Sequence, residues 1–127
     1  MSFQVTFIDT PDYLHAIITG ENSFENVTGY LQQVREECRR RGYRRLLIEE
    51  HLEGPRLSGL EVFRIVTEGS ERARGELHAI AYVDANAHGA LMKFAEDVAV
   101  NRALRVAVFS SIPEAQLWLL STVRPRQ

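Results

Sequence analysis

Phe3, Val5 and Phe7 alternate with Gln4 and Thr6, a period of two that predicts a strand with one face buried. The turn formers Asp9-Thr10-Pro11-Asp12 follow, and Tyr13 to Thr19 reads as a second strand ended by Gly20. The connection is short, so the two strands are predicted to form an antiparallel hairpin. After Ser23 the beat changes. Phe24, Val27, Tyr30, Leu31, Val34 and Cys38 recur at helical spacing behind a serine suited to cap a helix. Arg39, Arg40 and Arg41 in the last turn offset the negative end of the helix dipole, and Gly42 tolerates the left-handed cap.

Leu46, Leu47 and Ile48 are apolar without alternation, as in a central strand covered on both faces. His51 to Leu57, with Gly54 and Pro55, is expected to be a loop. Ser58-Gly59-Leu60-Glu61 matches a capping box and opens a second helix to about Gly69 or slightly beyond, with Leu60, Phe63 and Val66 at helix-face positions. Leu77 to Val83 reads as a strand, Asp84 to Gly89 as a loop, and Leu91, Phe94, Ala95 and Val98 mark a helix ending near Asn101. Leu104, Val106 and Val108 form a last strand. Ser111-Ile112-Pro113-Glu114 caps a final helix packed by Leu117, Trp118 and Leu120, and Val123 to Gln127 is expected to be a flexible tail.

The predicted order is ββαβαβαβα: one α/β domain over residues 1–127, with a five-stranded mixed sheet and four helices. Alternating strands and helices imply right-handed parallel crossovers. At 127 residues and 45% hydrophobic content the chain suits one core. A net charge of -2 does not suggest a general nucleic-acid binder. The single Cys38 cannot form an intramolecular disulfide, which fits a reducing compartment. The start Met1–Thr6 lacks the pattern of a secretory signal, and no apolar run approaches the ~20 residues of a membrane span, so a cytoplasmic location without membrane insertion is expected.

The element order, the segment Ser58-Gly59-Leu60, and the stretches Arg105–Phe109 and Glu114–Leu119 resemble the STAS-like family, which includes the anti-sigma-factor antagonists and SpoIIAA-like proteins. The similarity is one of pattern, from about Tyr13 to Leu120. It implies a STAS-like fold and a non-catalytic regulatory module that binds proteins. In the antagonists a segment like Asp-Ser-Ser-Gly-Leu carries a phosphorylated serine. Arg56 stands here at the aspartate position and Leu57 at the phosphorylated one, so the phospho-switch is expected to be absent. The related CRAL-TRIO domains suggest an alternative, a small apolar or lipid-like ligand.

The residues offer few rivals to that reading. Ser58 at a helix start suits a phosphate, though N-cap duty accounts for it. Glu49, Glu50 and His51 alternate faces, so the two glutamates diverge, and a solvated strand end is the expectation. Asp84, Asn86 and His88 are expected near His51 and Ser111 at the C-terminal ends of parallel strands, where α/β sheets place ligands. A hydrolase would need at least two of His51, Asp84, His88 and Ser111 within hydrogen-bond reach. The arginines Arg35 to Arg45 are interleaved with Glu36 and Glu37 and read as a solvated helix end. Phe24, Tyr30, Phe63, Phe94 and Trp118 read as core, and Cys38 as a buried helix residue. No spacing for a metal or cofactor is present, and neither is expected. A homodimer through the first or last strand is expected, along with a regulatory protein partner.

Overall fold

A computed structural model describes residues 3–54, 57–73, 76–84 and 105–123. They form β1 (Phe3–Asp9), β2 (Leu14–Glu21), α1 (Phe24–Arg41), β3 (Arg45–Glu53), α2 (Gly59–Ala73), β4 (Ala79–Asp84), β5 (Val106–Phe109) and α3 (Ile112–Ser121). The sheet runs β1-β2-β3-β4-β5, in chain order. β1 and β2 pair antiparallel as the hairpin, and every later pair is parallel. The sheet is thus mixed and five-stranded, as predicted, and carries three helices among the described residues. The helix expected around 91–101 lies outside them, as does the tail beyond Val123.

The face on which each helix sits follows from handedness. The crossovers β2-α1-β3 and β3-α2-β4 both step the same way across the sheet. Two right-handed crossovers in one direction must lie on one face. Accordingly α1 packs on α2 and on the hairpin strands, whereas α3, which follows the last strand, packs against β3, β4 and β5. Period-two alternation then divides the core. Leu46 and Ile48 join Leu14, Ala16, Ile18, Ile80 and the α1 residues Val27, Tyr30, Val34 and Cys38. Leu47 joins Tyr13, Ala79, Ala81, Val83, Ala115 and Leu119 under α3. Apolar burial of this kind contributes ~1.5–3 kcal/mol for each large side chain.

Local signals behave as the residue types dictate. Ser23 accepts from the Asn26 backbone N–H at 3.1 Å, and Gly42 closes α1 in the left-handed region at φ 81. Asn26, buried, donates through Nδ2 to the Glu21 carbonyl at 2.9 Å and ties the end of β2 to α1. Arg39, Arg40 and Arg41 form ion pairs with Glu36, Glu37, Asp9 and Glu76. The run is a solvated helix end, as its charge pattern suggested.

Three expectations need correction. β3 continues through His51 to Glu53, because Thr19, Gly20 and Glu21 of β2 supply partners for His51, Leu52 and Glu53. α2, which runs slightly beyond Gly69 to Ala73, buries Ile65 among its described side chains, whereas Leu60 and Phe63 on the expected face are 72% and 39% exposed. α3 buries Ala115 and Leu119, and leaves Leu117 and Leu120 71% and 46% exposed. In both helices the phase is set by the residue that fits closest to its neighbours, and a stripe drawn through the bulkiest residues misses it.

Candidate functional site

β3 presents its last polar residues to both sides of the sheet, at the C-terminal strand ends. Glu50 follows Leu46 and Ile48 on the face covered by α1. Its register partners are Ile18 on β2 and Asp84 on β4. Tyr82, two residues before Asp84, shares that face, and Tyr30 enters from α1. Tyr30 Oη and Tyr82 Oη each donate to Glu50 Oε2 at 2.5 Å, and the two hydroxyls also touch each other. Asp84 is the register partner of Glu50 on the neighbouring strand, so the two carboxyls lie side by side on one face. Four polar side chains therefore meet beside an otherwise apolar core, and Tyr30 is fully buried.

This environment changes their acidity. Burial, and next the hydrogen bond with Asp84, push the Glu50 carboxyl up to about 7, against the opposing pull of the two phenols. Burial also holds both tyrosines well above the ordinary phenol value, and the Glu50 charge adds to it.

Glu49 turns to the other face. His15 Nε2 lies 2.8 Å from Glu49 Oε1, and His51 Nε2 lies 2.6 Å from Glu49 Oε2. Burial works to raise the Glu49 carboxyl, but the hydrogen bonds from His51 and His15 outweigh it and the net shift is downward. Among the described residues no group of three or more His, Cys, Asp and Glu is arranged to hold a metal ion.

The residues singled out in the sequence fall in separate places. His51 sits with Glu49, on the face opposite Asp84, so these two do not converge. Ser58 and Glu61 form the reciprocal capping box: the Ser58 N–H donates to Glu61 Oε1 at 2.9 Å, and the Glu61 N–H donates to Ser58 Oγ at 3.1 Å. Ser111 is the N-cap residue of α3, but its side chain makes no capping hydrogen bond to the backbone, and its Oγ donates to Glu114 Oε1 at 2.9 Å. Asn86 and His88 lie outside the described residues. Glu50 is no solvated strand end. Tyr30 and Tyr82, hidden in stripes that read as plain core, complete its surroundings. One signal was available: a glutamate two residues beyond Ile48 points to the helix-covered face and needs a polar partner there.

Cys38 is buried in α1 and its thiol is pushed up to about 12, first by burial and then by Glu37. It is a packing residue. No described helix is long and apolar enough to cross a membrane. No protein-family model matches the chain, and no curated protein matches it in sequence.

Proposed function

We propose that the chain is a non-catalytic regulatory module of STAS-like type that works by docking a protein partner on the start of α2. The supporting observation is the exposure of Leu60, at 72%, in the helix that opens with Ser58-Gly59-Leu60. A large apolar side chain so exposed at the start of a helix offers an anchor for a partner surface. Arg64 lies over the Phe24 ring, 4.8 Å from its centroid, and places a cation beside this patch. Leu57, at the position that carries phosphate in the antagonists, is partly buried against the core and accepts none, so docking here is not phosphate-controlled.

A second copy of the chain is the further partner in this reading. β1 is an edge strand of seven residues with unbroken register, without proline, and with Asp9 its only charge. Such an edge offers its outer N–H and C=O groups to another strand. Antiparallel pairing of two β1 edges about a twofold axis makes one ten-stranded sheet, doubling the five strands here.

The test compares the wild type with Leu60→Asp as bait in an extract of the source organism, after circular dichroism and thermal unfolding have shown both to be folded. A partner retained by the wild type and lost by the variant supports the reading. Identical recovery by both baits, or none by either, contradicts it. Sedimentation at rising concentration addresses the dimer, and a monomer throughout removes it.

A further inference from the structure

α3 carries apolar side chains all round. Ala115 and Leu119 are buried under it, and Trp118 packs on Phe109 of β5 with ring centroids 5.8 Å apart. Leu117 and Leu120, with Val123 just past the helix end, recur every third residue and are 71%, 46% and 37% exposed. Residues three apart are neighbours on a helix surface, so these three form one ridge on the outer side of α3. From Ile112 to Val123 the only charge is Glu114, in the first turn. A helix that is apolar all round is ordinarily buried, yet the outer side of this one stands in water.

The ridge leads to a basic end. α3 packs on β3, β4 and β5, and a basic residue stands at or just before the start of each: Arg44 and Arg45, His78, and Arg105. The His78 N–H donates to the Arg44 carbonyl at 2.6 Å, and the Ile80 N–H donates to the Arg105 carbonyl at 2.9 Å, so the three strand starts lie side by side. Arg45 reaches the end of α3, where it donates to the Thr122 carbonyl at 2.7 Å, next to Val123. Among the described residues none of these three arginines forms an ion pair. Glu76 is engaged by Arg35 and Arg39, and Asp9 by Arg41. Asp12, in the hairpin turn, is a further acid at this end, one charge against the arginines' three. The sequence adds Arg124 and Arg126 directly after Val123. Positive charge thus collects at one end of α3 in a chain whose net charge is -2.

An apolar ridge with a cationic end selects its partner by shape as well as charge. A ridge is convex and offers no groove of the kind that holds a peptide or a small ligand. A lipid bilayer needs no groove. Its interface takes in exposed apolar side chains, and its anionic headgroups attract arginine. We propose that the α3 face docks on an anionic membrane surface, with Leu117, Leu120 and Val123 entering the interface and Arg44 and Arg105 on the headgroups. Arg45 adds its charge at the helix end. The contact is superficial, since no described helix is long and apolar enough to cross a membrane. The surface lies across the sheet from α2, so it stands or falls apart from partner docking at Leu60.

The test is co-sedimentation of the full-length chain with vesicles of phosphatidylcholine alone and of phosphatidylcholine mixed with phosphatidylserine. Trp118, the only tryptophan in the chain, follows the same binding by its emission. The wild type is expected to pellet with the mixed vesicles and to stay in solution with the neutral ones. Leu117→Asp changes the exposed ridge, and Arg44→Glu/Arg105→Glu changes two exposed side chains, so neither touches the core. Circular dichroism checks that both are folded. Each is expected to weaken binding at least about tenfold, since one arginine beside such a surface counts for roughly fivefold. A wild type that stays in solution with both vesicle types, or binds both equally, overturns the proposal without recourse to a variant. So does a folded variant that binds as the wild type does. Capture of an acidic protein, lost in Leu117→Asp and without vesicle binding, assigns the ridge to a protein partner and overturns it as well.

Discussion

Glu49 and Glu50 are neighbours in β3, yet their side chains enter different chemistry on opposite faces of the sheet. Glu49 receives His15 and His51 at 2.8 and 2.6 Å, and Glu50 receives Tyr30 and Tyr82 at 2.5 Å each. Strand alternation alone makes the division. Its consequence is unequal: one carboxyl is shifted down by imidazole partners, and the other is pushed up by burial beside a second carboxyl.

Removing either phenol from the Glu50 cluster leaves a buried oxygen short of a partner. Tyr30→Phe is expected to lower stability by about 1–3 kcal/mol, and Tyr82→Phe by a similar amount. The double variant should fall short of the sum, since both hydroxyls serve the same Glu50 oxygen. Urea unfolding of the four proteins measures this directly, and strict additivity would show that the hydroxyls act independently.

Arg45 fastens the end of α3. Its Nε donates to Thr122 Oγ1 at 2.8 Å, and its Nη2 to the Thr122 carbonyl at 2.7 Å, at the helix C-terminus. Arg45→Met keeps much of the apolar stem and removes both donors. A loss of about 1–3 kcal/mol is expected, with amide exchange accelerating first in the last turn of α3.

Ser58 separates a cap from a regulatory site. If its work is the reciprocal box with Glu61, Ser58→Ala lowers stability by about 1 kcal/mol, and Ser58→Asp, which also caps, restores most of it. Partner capture should follow neither change. A loss of capture at unchanged stability would assign the serine to recognition instead.

Cys38 should be inert while the chain is folded. Its thiol is buried and held at about 12, so the thiolate is scarce at neutral pH. A disulfide reagent is expected to react only after denaturant is added, and rapid labelling of the native protein would contradict this burial.

The strands were legible because their hydrophobic beat is local: Phe3-Val5-Phe7 alternates, and Leu46–Ile48 and Ala79–Val83 are unbroken apolar runs that pair as parallel neighbours. The caps at Ser23 and Gly42 were legible for the same reason, since their partners lie within a turn. Helix phase was less so. The stripe through Leu60, Phe63 and Val66 and that through Leu117 and Leu120 both follow bulk, whereas the chain buries Ile65, Ala115 and Leu119. The Glu50 cluster was hidden by distance along the chain. Tyr30 and Asp84 lie far from residue 50 in sequence, and only the register of β3 with β4 and the seating of α1 bring them together. A tyrosine on an apolar stripe does not announce whether its hydroxyl will find water or a carboxyl.

The central claim is a proton held in the folded chain and lost from the unfolded one. Glu50 is raised from 4.5 to about 7 on folding, so between those values the folded chain keeps a proton that the unfolded chain has released. Stability from this group is therefore present at acid pH, declines as pH rises through the window, and levels off above it. His78, lowered by burial and by Arg45, Arg105 and Arg44, slopes the opposite way, and subtracting a variant removes its contribution. The most direct measurement is the urea unfolding free energy of the wild type relative to Glu50→Gln at about pH 5.5 and about pH 8. The wild type should lose roughly 2 kcal/mol relative to the variant between them. A difference that stays constant, or that grows in favour of the wild type as pH rises, would contradict a Glu50 carboxyl that keeps its proton in the folded chain.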